Sequence, residues 1–214
     1  MEQAVRKIAL LGMGTVGGGV YEIIERQKEE MPFKIGAALE VVKVLVRNKA
    51  KYADRIPAEK LTDVWEDVIG DDSIDIVVEV MGGIEPARTY IKAALEKGRH
   101  VVTANKDLMA MHGHELLELA GEHHCDLLFE AAVAGGIPII RPLKQCLAGN
   151  NITEIMGIIN GTTNFILTKM THEGMEFDEA LALATELGYA EADPTADIEG
   201  YDAGRKMAIM ASIA

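Results

Sequence analysis

Cysteine is scarce in this chain: only Cys125 and Cys146 occur in 214 residues. They form no CxxC pair and no metal-ligand spacing. That excludes a disulfide-stapled scaffold and predicts reduced thiols in a cytoplasmic protein. Positive charge is also in short supply, with 21 Lys and Arg against 34 Asp and Glu and a net charge of −13. Nucleic acid and anionic membrane both select a basic face, so neither is expected as a partner. Long apolar runs are missing too. None approaches the ~18 residues of a spanning helix. "IALLG" breaks at Gly12, too short for the apolar core of a signal peptide. His112, His114, His123 and His124 have no paired spacing with a suitable carboxylate, so no transition-metal site is expected. What remains is a chain that is 49% hydrophobic, able to bury a core. Its length suits one large domain, or one domain and part of another.

The first half alternates apolar runs with helical periodicity. "KIALL" (Lys7–Leu11), "VVKVLV" (Val41–Val46), "IDIVVEV" (Ile74–Val80), "HVVTA" (His100–Ala104) and "DLLFEA" (Asp126–Ala131) read as strands buried on both faces. After the first of them, Val16, Val20, Ile23 and Ile24 fall near one helix face. "EPARTYIKAALEKG" has Pro86 near its start and Gly98 at its end, which suits helix start and stop chemistry. "DLMAMHGHELLELAGEHH" supplies a third helix. This order predicts an α/β fold with a Rossmann-type parallel sheet and right-handed crossovers.

The turn after the first strand reads "GMGTVGGG", in which Gly12, Gly14 and Gly17 match GxGxxG. The pattern follows a strand and opens a helix, the context in which it binds a dinucleotide. The first glycine makes the turn, the second admits the pyrophosphate and the third lets helix pack on strand. The helix N-terminus then offers unpaired N–H groups to phosphate. At the end of the second strand, where an acid usually holds the ribose hydroxyls of NAD, the chain has "VLVRNKAK". Arg47 takes the acid's place, with Lys49 and Lys51 behind it. A guanidinium grips a 2′-phosphate, so NADP is favoured and NAD is the alternative.

After Ala131 the pattern changes, and a second, smaller domain is expected over 132–214 beside a dinucleotide-binding domain over 1–131. "AAVAGGIPIIRPL" reads as a small-residue loop turning into a helix at Pro138. "ITEIMGIING" reads as a long strand, "GTTNFILTKM" opens a helix, and "DEALALATELGYAEAD" is a further helix stopped at Gly188. Near the end, "EADPTADIEGYDAGRK" sets Glu191, Asp193, Asp197, Glu199 and Asp202 ahead of Lys206. Two readings compete: a solvated charged loop, or a polar site that handles an amine and a proton. Asp202 and Lys206 are four apart, neighbours on one helix face.

Five motifs in order, "GMGTVGGGV", "TANKDLMA", "FEAAVAGGIPIIRPL", "GIINGTTNFIL" and "GYAEADPTADIEGYDAGRK", span Gly12 to Lys206 and resemble homoserine dehydrogenase. The resemblance implies NAD(P)-dependent interconversion of aspartate 4-semialdehyde and homoserine, a step toward threonine, methionine and isoleucine. It implies that Lys206 is the proton donor and that Lys106 lies close to substrate and nicotinamide, with Asp202 beside the catalytic pair. It assigns substrate binding to Glu191, Asp197, Gly161, Thr162 and Tyr189. The nucleotide set becomes Gly12, Gly14, Thr15, Val16, Gly17, Arg47, Thr103, Asn105 and Lys106. It further implies a sodium ion held by the carbonyls of Glu130, Val133, Gly135 and Ile137, and a homodimer in the full-length protein. Hydride delivery to an aldehyde carbon leaves negative charge on oxygen, which an ammonium stabilises and protonates. Two alternatives stand beside this activity: a related reductase of another amino-acid-derived aldehyde or imine, and a non-catalytic nucleotide-binding module.

"GRKMAIMASIA" ends the chain as an apolar helical run without a cap, and relatives of this type continue past it. Met207, Ile209, Met210 and Ile213 need a surface to cover. The expectation is an incomplete α+β substrate domain and a chain that binds nucleotide but is weakly active or inactive by itself.

Overall fold

The structure, a computed structural model, describes residues 4–214. It divides into two compact units, Met1–Ala132 and Val133–Ala214.

The first unit runs β1 (Val5–Leu11), α1 (Thr15–Arg26), α2 (Met31–Ile35), β2 (Ala38–Leu45), β3 (Leu61–Thr62), α3 (Glu66–Ile69), β4 (Ile76–Glu79), α4 (Ala87–Glu96), β5 (His100–Thr103), α5 (Lys106–Glu122) and β6 (Leu127–Leu128). The strands form one parallel sheet in the order β3-β2-β1-β4-β5-β6. That is the doubly wound order, with its reversal between β1 and β4, where such folds bind ligands. The β-branched and leucine-rich runs explain the sheet. Ala9, Leu10, Leu11, Val41, Val44, Val77 and Val101 are buried almost completely, as strands covered on both faces must be.

Two differences from the sequence reading are physical. Of the α1 aliphatics, Ile24 is buried and Val20 packs on the core, but Val16 and Ile23 are about half exposed. The buried face includes Gly17, whose lack of a side chain lets the helix backbone approach the Gly12 turn and Val80, and Val16 and Ile23 are left facing outward. The sixth strand pairs only over Leu127–Leu128 because it is an edge with β5 as its single neighbour, and the chain then turns into a 3₁₀ turn at Glu130–Ala132.

Polar clamps fix the helices. The buried guanidinium of Arg99 donates to the carbonyls of Val68, Ile69 and Asp71 at 2.8–3.0 Å, which satisfies the C-terminal end of α3. Burial lowers its pKa from the usual arginine value. Between α4 and α5, Glu115 accepts two donors from Arg88 and one from Lys92. Those bonds, Lys92 foremost and then Arg88, hold its carboxyl down to about 2. A carboxyl with a depressed folded-state pKa stabilises the fold above its unfolded value and loses that contribution as pH falls through the folded value. The expected result is a Glu115→Gln chain whose denaturant midpoint, relative to wild type, is lowest above pH 4.5 and converges with it near pH 2. A midpoint difference constant across that range would contradict the clamp.

In the second unit the helices are α6 (Gly161–Glu173), α7 (Phe177–Glu186), α8 (Thr195–Ile198) and α9 (Tyr201–Ile213). Ile166, Ala180, Ala184 and Ala190 form its small core. The strand read over "ITEIMGIING" is not formed. The segment is irregular, with Met156 83% and Ile158 78% exposed. A strand exists only against a partner, and no described residue of this unit supplies one. The helix read from Pro138 does form, as a short helical segment that begins at Ile140 and continues as a π-helix over Pro142–Cys146, closed by the Leu147 N–H donating to the Pro142 carbonyl at 3.0 Å. At the chain end, Ile209 and Met210 are buried, and Met207 and Ile213 are half-buried.

Candidate functional site

The first unit carries a cleft of about 620 Å³ at the sheet's switch point, lined by Gly12, Gly14, Arg47, Lys51, Tyr52 and Met81 among others. Gly12 sits at φ +96, a conformation side chains rarely adopt, and a Cβ there would lie 2.9 Å from the Val80 carbonyl oxygen. A Cβ at Gly17 would overlap the Gly12 carbonyl oxygen, so this glycine is fixed by the close packing of α1 on the turn. Over Gly14 there is open space. Thr15 and Val16 are exposed in the first turn of α1. Two glycines are therefore held by the protein's own backbone, while the third leaves room for a ligand. This is the arrangement a pyrophosphate needs at a helix N-terminus.

The basic cluster divides in two. Lys49 pairs with Asp63 at 2.8 Å, and that bond lowers the Asp63 pKa. Arg47 and Lys51 line the cleft, with the Lys51 ammonium 5.4 Å from the centre of the Tyr52 ring. Arg47 is exposed and makes no hydrogen bond or ion pair with the described residues, which leaves its fork for an anion.

Thr103 and Asn105 do not line this cleft; both are buried beneath the ends of the strands. They belong to a network centred on Glu79, a fully buried carboxylate that the sequence reading missed. Glu79 accepts from the Met81 and Gly82 N–H groups at 2.8 and 3.3 Å and from the Thr103 hydroxyl at 2.7 Å. The Thr103 oxygen accepts from the Asn105 N–H, and the Asn105 amide donates to the Gly83 carbonyl at 2.6 Å. The Asn105 side-chain oxygen caps α5, so Lys106 begins that helix from a fixed position. The network positions the turn over 81–83, where Gly82 and Gly83 are both left-handed. Its one sequence signal was an acid at the end of a buried apolar strand, where a charge needs partners.

In the second unit the carboxylates separate by function. Lys206 donates to Asp202 Oδ2 at 2.6 Å and to the Ile159 carbonyl at 2.9 Å. This is no solvated helix pair: the Asp202 side chain is 4% exposed and that of Lys206 19%. The Asn160 amide nitrogen donates to Asp202 Oδ2 at 2.8 Å and to Asp197 Oδ1 at 2.7 Å. Lys206, Asp202 and Asp197 are thus brought together through a buried asparagine that the residue pattern alone did not single out. Asn160 also caps α6, accepting from the Thr163 N–H at 2.8 Å. The cap is this asparagine, whose extended backbone lets its side chain reach the first turn, and not a threonine. Thr162 is buried and donates to the Tyr189 carbonyl at 2.8 Å, while the Tyr189 ring stacks on Phe165 at 4.7 Å. Gly161 is exposed at the helix start. Asp193 is taken up by Thr195, whose hydroxyl and N–H lower its pKa. Glu191 and Glu199 are exposed and joined to none of these groups.

The residues expected around sodium lie in both units. Glu130 opens the 3₁₀ turn, Val133 is buried, Gly135 is left-handed at φ +57, and Ile137 is exposed. Among the described residues no three His, Cys, Asp or Glu side chains converge as a metal cluster. Both cysteines are free, and no described helix is long and apolar enough to cross a membrane.

Residues 12–130 match the family model "Homoserine dehydrogenase, NAD binding domain", and residues 138–214 match the model "Homoserine dehydrogenase". The homoserine dehydrogenase of Bacillus subtilis is 51% identical over 97% of this chain, and that of Mycobacterium tuberculosis is 52% identical over the same share. These alignments cover 48% and 47% of those proteins, so the chain spans about half the length of the curated relatives it matches. The solved homoserine dehydrogenase of Thiobacillus denitrificans superposes with a TM-score of 0.92 at 47% identity, over 98% of this chain and 49% of that one. A hyperthermophilic archaeal homoserine dehydrogenase in complex with NADPH superposes with a TM-score of 0.86 at 32% identity, over 98% of this chain and 69% of that one. With both of its units matched, and with a nicotinamide-nucleotide fold in the first, the chain belongs to the homoserine dehydrogenase family.

Proposed function

We propose that this chain carries the nucleotide-binding and proton-donating parts of an enzyme that interconverts L-aspartate 4-semialdehyde and L-homoserine with NADP as the preferred cofactor. The observation that carries the reading is the buried Lys206–Asp202 pair in a chain whose other unit has the dinucleotide glycine turn. A reduced nicotinamide, when bound, would supply hydride to the aldehyde carbon. Lys206 stabilises the developing charge on the aldehyde oxygen and gives it a proton. An ammonium has three N–H donors; Asp202 and the Ile159 carbonyl take two, and the third is aimed by those bonds. Asp202 orients Lys206 through their 2.6 Å bond. Glu191, exposed and without a partner among the described residues, receives the substrate's ammonium, and Asp197, Gly161, Thr162 and Tyr189 shape the substrate site. Lys106 serves the substrate and nicotinamide from the start of α5.

Arg47 accounts for the preference for NADP, because its fork lines the cleft uncompensated. An Arg47→Ser chain is expected to bind NADPH about tenfold to a hundredfold more weakly, the loss of a charge-assisted hydrogen bond, with NADH affinity little changed. Equal weakening of both nucleotides, measured by nicotinamide fluorescence, would reject the assignment. The loop over 130–137 is assigned a sodium ion through its carbonyls, on the family resemblance and on the hard-oxygen preference of such ions. The same resemblance supports a homodimer at the relatives' full length, and the two free thiols suit the cytoplasm.

The test is a substrate panel with NADPH, run on this chain and on a version extended to the relatives' length. Reduction of aspartate 4-semialdehyde well above other amino-acid-derived aldehydes and imines supports the reading. Preference for an imine, or nucleotide binding with no turnover in either form, contradicts it. Equal turnover by the two forms would reject the expectation that the shorter one is weakly active or inactive.

A further inference from the structure

We infer that Asn160 is a positioning residue for the proton donor, and that the two N–H groups of its amide do the positioning. This rests on the reading of Lys206 as that donor. A primary amide nitrogen has two hydrogens, and here both are committed: one to Asp197 Oδ1 at 2.7 Å and one to Asp202 Oδ2 at 2.8 Å. The second contact falls on the same oxygen that receives Lys206 at 2.6 Å. One carboxylate oxygen therefore lies between an amide donor and an ammonium donor, and its place is set by both. Removing the amide would take one of these two donors from that oxygen and let the Asp202–Lys206 pair shift.

Asn160 can hold Asp202 because its own position is fixed at the other end. Its side-chain oxygen accepts from the Thr163 N–H at 2.8 Å and from the Thr163 hydroxyl at 3.0 Å, which pins the side chain to the first turn of α6. The preceding residue, Ile159, gives Lys206 its second acceptor at 2.9 Å. The step from Ile159 to Asn160 thus locates the ammonium twice, through a carbonyl directly and through a carboxylate indirectly. It also ties α8, α9 and the start of α6 to one 8%-exposed residue. The two carboxylates repel each other, and the amide, which donates to both, helps the Lys206 ammonium offset that repulsion at short range.

The cap and the donor function can be separated. Serine and aspartate are both good N-caps, so Asn160→Ser and Asn160→Asp each keep the bond to Thr163 N–H and the start of α6. Neither replaces the two amide donors. In the full chain, the expected result for both variants is an unchanged nucleotide affinity and a kcat lowered by about a hundredfold, the scale of a misplaced catalytic group. KM should change much less. The companion readout does not need turnover. Reductive methylation at Lys206, followed by peptide mass spectrometry, should proceed at least about threefold faster in Asn160→Ser than in wild type, with Lys169 on α6 unchanged as the internal standard. Faster methylation at Lys206 alone supports the positioning role, even if the chain fails to turn over aspartate semialdehyde and the proposed activity falls. An unchanged methylation rate at Lys206 in both variants, with melting temperatures like wild type, overturns it. So does a wild-type kcat in both.

Discussion

Replacing Lys206 by alanine is expected to lower turnover of aspartate 4-semialdehyde by about 10²–10⁴-fold, the range set by removal of a positioned general acid. Nucleotide affinity should be untouched, because the glycine turn and Arg47 belong to the first unit. The magnitude follows from the site. Asp202 is nearly inaccessible and Lys206 largely so, and their 2.6 Å bond is shielded from the water that would weaken it. Truncation also leaves Asp202 as a buried charge without its cation, which is costly in itself. Lys206→Ala should therefore unfold at lower denaturant than a Lys206→Met, Asp202→Leu double variant, which removes both charges. If Lys206→Ala loses less than tenfold in kcat, the proton comes from elsewhere.

The second large effect separates two glycines three positions apart. Gly17→Ala is expected to destabilise the first unit by about 1–3 kcal/mol or more, because its Cβ meets the Gly12 carbonyl, a backbone atom no rotamer change can move. Nucleotide binding should fall with it, since the turn must shift. Gly14→Ala faces open space and should leave the unfolding midpoint close to wild type, while the added methyl obstructs the approach of the pyrophosphate and weakens binding. Denaturant unfolding and nucleotide titration on the same two variants give the result. A stable Gly17→Ala chain with full affinity would contradict the packing role. A Gly14→Ala chain that binds as wild type would contradict the position of the phosphates.

The parts of this molecule legible in the sequence are those where one local pattern determines the outcome. The apolar, β-branched runs at Leu10, Val44 and Val78 read as buried strands, and the glycine spacing after β1 specified the turn, though not which aliphatics of α1 lie on the core. What was not legible depends on partners far along the chain. Leu61–Thr62 is a strand only because β2 is beside it, and the segment 152–161 has a strand's composition but no partner among the described residues. Glu79 and Asn160 look ordinary in sequence. Their importance comes from contacts across 24 and 42 residues, with Thr103 and Asp202. The acid-rich stretch from Glu191 to Asp202 shows the same limit. Composition marked it as polar, but only the fold separates Asp197 and Asp202, drawn to Asn160, from Asp193, absorbed by its own turn, and from exposed Glu191 and Glu199.

On the proposed reading, the Lys206 ammonium protonates the aldehyde oxygen as hydride reaches the carbon. This step is tested most directly by a single-turnover experiment, with the chain in excess over NADPH and saturating aspartate 4-semialdehyde, so that even slow chemistry is seen. The account predicts one homoserine formed per NADPH consumed by wild type, at a rate at least about a hundredfold above that of Lys206→Ala. Homoserine formed at the same rate by both would contradict it.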